Sequence, residues 1–118
     1  MSIRIANVRT LHLAPGETAI YCGRGRAPGG MEHAHLGNLF PVGAQYRQGE
    51  AAAAYLPHLQ RQCRERGPEL HTITALARRL HAGEALVLTC WCSPKPCHSA
   101  HILAAVTGYA ARIAAKEA

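Results

Sequence analysis

Apolar positions divide the chain into six segments of regular structure. Ile3-Arg-Ile-Ala-Asn-Val8 alternates apolar and polar residues and is β-branched, which predicts a half-buried first strand. Pro15-Gly16 signals a turn, and Thr18-Ala-Ile-Tyr-Cys22 predicts a second strand that could pair with the first as a hairpin. Glu50 to Arg66 reads as a helix with Tyr55, Leu56, Leu59 and Cys63 at helical spacing, and Pro57 either kinks it or marks its first turn. Pro68 to about His81 predicts a second helix whose stripe is Leu70, Ile73, Leu76, Ala77 and Leu80, with Pro68 at its start and Gly83 at its stop. Ala85 to Cys92 is nearly continuous in apolar residues, as a strand buried on both faces requires. The last helix runs from about Pro96 to Ala115 on Ile102, Leu103, Val106, Tyr109, Ala110 and Ile113. The order β-β-α-α-β-α predicts one α/β domain over residues 1–118. Its architecture is a small three-layer sandwich, with a short, mostly parallel sheet and helices on both faces.

Composition narrows the function. The chain has 118 residues, enough to bury a core without staples. The start lacks a charged segment followed by an apolar run, and no apolar stretch reaches the roughly 20 residues of a membrane span. A cytoplasmic protein with no membrane partner is expected. In that reducing compartment five cysteines act as ligands, reactive thiols or core residues rather than disulfides. The net charge of +6 favours anionic partners: nucleotides, phosphates or nucleic acid. Every acid is Glu, so mechanisms that need an Asp are excluded.

After the second strand comes Gly23-Arg-Gly-Arg-Ala-Pro-Gly-Gly30, with four glycines in eight residues. Such a loop lets backbone N–H groups approach a phosphate, with Arg24 and Arg26 as anion clamps. Its spacing matches neither the P-loop nor the dinucleotide fingerprint, and a plain flexible loop reads the same way. A long irregular stretch follows to Pro41, and irregular stretches of that length in small domains are functional or disordered. It includes His33 and His35, an H-x-H pair that could reach a metal.

The densest chemistry lies between the last strand and the last helix, where Cys90, Cys92, Cys97 and His98 fall within nine positions. Cys90 and Cys92, two apart on a strand, point to one face, while Trp91 points away into the core. Three thiols and an imidazole meet the donor needs of tetrahedral zinc, although C-x-C-x4-C-H matches no standard finger. Alternatively, Cys97 in the first turn of a helix is a thiolate nucleophile, its pKa lowered by the dipole and by Lys95. His98 or His101 would then be its base. A third reading makes these residues packing alone.

Three stretches together resemble a known family. They are Tyr21-Cys-Gly-Arg-Gly25, Leu36-Gly-Asn-Leu-Phe40 and Cys90-Trp-Cys-Ser-Pro-Lys-Pro-Cys-His98. The pattern resembles the bacterial and phage domain of unknown function family 4326, with its G-R loop, G-N-P-F element and C-W-C-x-P-x-P-C-H motif. The matching residues are Gly23, Arg24, Gly37, Asn38, Phe40, Cys90, Trp91, Cys92, Pro94, Pro96, Cys97 and His98. Leu39 stands where the family usually has proline, and Cys22 where it usually has an aliphatic residue. The family brings no settled activity; the resemblance implies one combined site from the Gly-Arg loop, Asn38 and the Cys/His junction.

Two functions from different classes follow. In the first, Gly23, Arg24, Gly25 and Asn38 bind a small anionic, nucleotide-like ligand, and Cys97 with His98 acts on it. In the second, Cys90, Cys92, Cys97 and His98 hold structural zinc and the basic surface docks nucleic acid. A homodimer through the alanine-rich last helix is a third expectation.

Overall fold

A computed structural model describes residues 2–40, 43, 46–93 and 95–117. Pro94 of the cysteine motif and Pro41 of the long loop lie outside the described residues. The elements are β1 (Ser2–Asn7), β2 (Glu17–Tyr21), β3 (Glu32–His33), α1 (Gln48–Glu65), α2 (Pro68–His81), β4 (Ala85–Cys90) and α3 (Ser99–Glu117). The fold is α/β. Among the described residues four strands form one sheet in the order β1-β4-β2-β3, and every pairing is parallel.

β4 occupies an inner position. It pairs with β1 from Ser2↔Ala85 to Asn7↔Cys90 and with β2 from Glu17↔Ala85 to Tyr21↔Thr89. The hairpin expected between β1 and β2 therefore does not form, because β4 lies between them. The reason is burial: Leu86, Val87, Leu88 and Thr89 are all fully buried, and only a strand flanked on both edges and covered on both faces hides all of them. The short β3, not expected from the sequence, pairs Ile20↔Glu32 and Tyr21↔His33.

One face of the sheet meets the helices. Ile20, Cys22, Leu86 and Leu88 share a core with Tyr55 and Leu59 of α1, Ile73, Leu76, Ala77 and Leu80 of α2, and Ile102, Val106 and Ala110 of α3. All three helices thus contribute to this one core, where the sequence predicts helices on both faces. On the other face, Thr89 Oγ1 contacts Met31 Sδ at 3.1 Å and the Tyr21 hydroxyl accepts from Trp91 Nε1 at 3.0 Å; irregular segments make these contacts.

α2 has the bounds the sequence predicts. α1 starts at Gln48 and runs through Pro57, so that proline is internal and does not mark the first turn. The strand ends at Cys90 and the last helix starts at Ser99, which leaves residues 91–93 and 95–98 as a junction rather than the ends of strand and helix. Side chains hold this junction in place of a helix ladder. Asn7 Nδ2 donates to the carbonyls of Trp91 and Ser93 at 3.0 and 2.8 Å, and Gln48 Nε2 donates to the Pro96 carbonyl at 2.7 Å. Among the described residues no helix is long and apolar enough to cross a membrane.

Candidate functional site

Parallel strands leave their carboxyl ends together, and helix N-termini gather at the same edge. Here β2 and β4 end beside the starts of α1 and α3, around a cavity of about 300 Å³. Tyr21, Gly23 and Arg24 line it from the end of β2, and Asn38 and Phe40 from the long loop. Gln48, Ala51 and Ala52 of α1 form another wall, and Cys90, Trp91, Cys92, Pro96, Cys97 and His98 complete it from the β4–α3 junction.

The loop walls need close backbone approach. A Cβ on Gly23 would lie 2.5 Å from the Tyr21 hydroxyl, and one on Gly37 would lie 3.1 Å from Arg24 Cα and 3.2 Å from its backbone nitrogen. A Cβ at Gly23 would displace the Tyr21 side chain, and one at Gly37 would press on the Arg24 side chain and backbone. Tyr21 is fixed from two sides: its hydroxyl donates to the Arg24 carbonyl at 2.7 Å and accepts from Trp91. Asn38 Nδ2 donates to the Ala51 carbonyl at 2.8 Å while Oδ1 accepts the Phe40 N–H at 2.9 Å. Asn38 thus ties the long loop to the first turn of α1. This leaves Arg24 as an exposed cation anchored on a fixed loop at the cavity.

The Cys/His floor is directional. A carbonyl oxygen only accepts, so His98 Nε2, 2.7 Å from the Cys22 carbonyl, carries the ring proton. Nδ1 is then the free lone pair of a neutral imidazole, and it faces Cys97 Sγ at 3.6 Å. Burial pushes the His98 pKa down, which keeps the ring neutral at pH 7. Cys97 Sγ also lies 3.2 Å from Cys90 Sγ and 3.5 Å from Ser99 Oγ. The Cys90 thiol is the largest influence on Cys97. With the Ser99 backbone N–H and hydroxyl it outweighs burial and holds the Cys97 pKa down to about 7. The same contact, with burial second, pushes Cys90 up. Of the two touching thiols, Cys97 is the one that ionises. Burial pushes up Cys22, which stays a thiol.

The structure therefore brings Gly23, Arg24, Asn38, Cys90, Cys92, Cys97 and His98 to one cavity. Other expected residues sit elsewhere. Gly25 does not line it; its carbonyl contacts His33 Nε2 at 2.5 Å. His33 and His35 stack with ring centres 4.1 Å apart, and His33 Nδ1 accepts the His35 N–H, so both His33 nitrogens are engaged. His101 lines a separate groove with Leu56, Leu59 and Cys63, so it is not the base for Cys97. Trp91 is 48% exposed rather than core, because β4 has ended before it. Cys97 is nearly buried, just ahead of α3 rather than within its first turn. Among the described residues no group of three or more His, Cys, Asp or Glu side chains is arranged to hold a metal ion. Gln48 and Ala51, which also shape the cavity, carried no signal: nothing local distinguishes them from other residues of an exposed helix start.

A family model for a domain of unknown function, DUF4326, matches residues 6–108. The chain belongs to this DUF4326 family. No curated protein and no solved structure matches it. The match runs from the end of β1 into α3 and so takes in every wall of the cavity. Of the residues that carried the resemblance to the DUF4326 pattern, ten line the cavity: Gly23, Arg24, Asn38, Phe40, Cys90, Trp91, Cys92, Pro96, Cys97 and His98. Gly37 packs beneath Arg24. Leu39, at the family's usual proline, is 64% exposed beside the cavity-lining Asn38 and Phe40, and the Asn38 side chain supplies the turn there.

Proposed function

We propose that this cavity binds a small anionic, nucleotide-like ligand and that Cys97 acts on it as a thiolate, with His98 as its base. The observation that carries the reading is the convergence on one cavity of Arg24 from the Gly-Arg loop and the Cys97–His98 pair. A guanidinium supplies a planar, permanently charged clamp for phosphate or carboxylate. Phe40 and Trp91 offer aromatic faces for a flat ring, and Gln48 adds a polar side chain. A volume of about 300 Å³ is at the small end of ligand sites, which favours a base-sized or sugar-phosphate-sized group over a dinucleotide.

The chemistry follows from the floor. Cys97 ionises near neutral pH by passing its proton to His98 Nδ1, and its sulfur attacks an electrophilic carbon of the ligand. The proton on His98 then goes to the leaving group. Five free thiols fit a reducing, cytoplasmic setting.

The test is thermal unfolding against a panel of nucleotides and sugar phosphates, with the fluorescence of the single tryptophan, Trp91, as a second readout. A ligand at 100 times its Kd raises stability by about 2.7 kcal/mol. Arg24→Gln removes the shift, while Cys97→Ser keeps binding and loses turnover. No shift with any panel member refutes the reading. Stoichiometric zinc in tag-free protein would favour instead a zinc site at Cys90, Cys92, Cys97 and His98 on a nucleic-acid-docking module, whose binding would weaken steeply with salt.

A further inference from the structure

The floor of the cavity holds two thiols in direct contact, and the ligand reading uses only one of them. We propose that Cys90 and Cys97 form a reversible disulfide, with Cys97 the sulfur oxidised by a hydroperoxide and Cys90 the thiol that resolves it. The two sulfurs are 3.2 Å apart with no atom between them. A disulfide needs about 2.05 Å, so about 1.2 Å of closure completes the bond. The two backbones differ in freedom. Cys90 is the last residue of inner strand β4, paired with Asn7 on β1, whereas Cys97 lies in the irregular junction ahead of α3. Cys97 can therefore make the movement while Cys90 stays. Cys22 Sγ instead contacts the Ile20 carbonyl at 3.8 Å.

The steps balance with the groups present. His98 Nδ1 takes the Cys97 thiol proton. The sulfur's electron pair attacks the distal peroxide oxygen, the O–O bond breaks, and the departing alkoxide takes the proton from His98. Cys97 is now a sulfenic acid and the peroxide has become an alcohol. The Cys90 sulfur attacks the Cys97 sulfur, the S–O bond breaks, and hydroxide leaves as water with the Cys90 proton. Two thiols and one hydroperoxide give a disulfide, an alcohol and water. An external dithiol reverses the bond by exchange. The disulfide takes the thiolate out of the cavity, so oxidation switches off whatever chemistry Cys97 performs there. This inference needs no ligand, and it stands or falls apart from the binding panel.

The experiment treats the whole reduced protein with one equivalent of hydrogen peroxide, alkylates the remaining thiols and maps them by mass spectrometry. The expected product has lost two hydrogens, carries a Cys90–Cys97 cross-linked peptide and reverts with dithiothreitol. Cys97 should be oxidised before Cys63, which lies in a different groove. In Cys90→Ser the sulfenic acid has no resolving thiol and is trapped at Cys97 by dimedone. If that variant fails to fold, the wild-type map alone decides. The proposal is overturned if wild-type Cys97 goes to sulfinic acid without a cross-link. It is overturned equally if the cross-link joins Cys22 or Cys92, or if both thiols survive peroxide that oxidises Cys63.

Discussion

Replacing Cys90 by alanine should raise the pH at which Cys97 ionises. The Cys90 thiol is the largest influence holding Cys97 down to about 7, and alanine removes that donor while leaving the burial that opposes ionisation. At pH 7 a thiol of pKa about 7 is half ionised, against about 3% for one near 8.5, a gain of about fifteenfold in thiolate. Intrinsic nucleophilicity falls with pKa at a Brønsted slope of about 0.4–0.5, which returns about fivefold of that gain. The net expectation is that Cys97 reacts about threefold faster than an unstructured cysteine peptide at pH 7 and about sixfold faster at pH 6. The two profiles cross near pH ~8, above which the peptide is faster. Burial scales the whole Cys97 curve down, so the midpoint rather than the rate is decisive. The assay is site-resolved alkylation across pH, read by peptide mapping. Wild type should plateau above a midpoint near 7. Cys90→Ala should move the midpoint up by about one unit or more, and Cys90→Ser, which keeps an O–H donor, should recover most of the wild-type value. A wild-type midpoint at about 8.5, or an unmoved midpoint in Cys90→Ala, refutes the assignment of Cys97 as the activated thiol.

Gly23→Ala should drive a Cβ into the Tyr21 ring, which cannot retreat from its two hydrogen bonds. We expect a loss of about 1–3 kcal/mol in denaturant unfolding with a changed Trp91 emission. Leu88→Ala empties a fully buried site in the inner strand and should cost about 2–5 kcal/mol by the same measurement. Glu17 receives two hydrogen bonds from Arg4 and one from the Ala14 N–H, which with Arg4 foremost holds its carboxyl down to about 2. A depressed carboxyl adds stability above its ordinary value of 4.5 and loses it as pH falls toward 2. The Tm gap between wild type and Glu17→Gln should therefore be full above pH ~4.5 and close as pH drops; a gap that widens in acid contradicts the ion pair.

Much of this was legible in the chain itself. The stripe from Leu70 to Leu80, opened by Pro68 and stopped at Gly83, gave α2 its bounds, because cap chemistry and helical period are local properties. The apolar run from Leu86 identified β4 as doubly buried for the same kind of reason: each residue's hydrophobicity states how much water it must lose. The cysteine motif and the Gly-Arg loop marked the site because soft ligands and glycines cluster rarely by chance.

Tertiary structure decided the rest, through contacts between residues far apart in sequence. No local pattern places β4 between β1 and β2, since strand order depends on which edges compete for the most apolar strand. No motif announces β3, whose two residues are held by pairing with β2 alone. The His98 tautomer is fixed by a carbonyl seventy-six positions away, and the Cys97 thiolate by a thiol at the end of a strand. His101 is only four residues from Cys97, yet the direction of α3 turns it to another groove. Sequence thus named the chemical groups at the junction. Only the folded chain could orient them, because hydrogen-bond direction and burial are properties of the assembled contacts and not of any one residue.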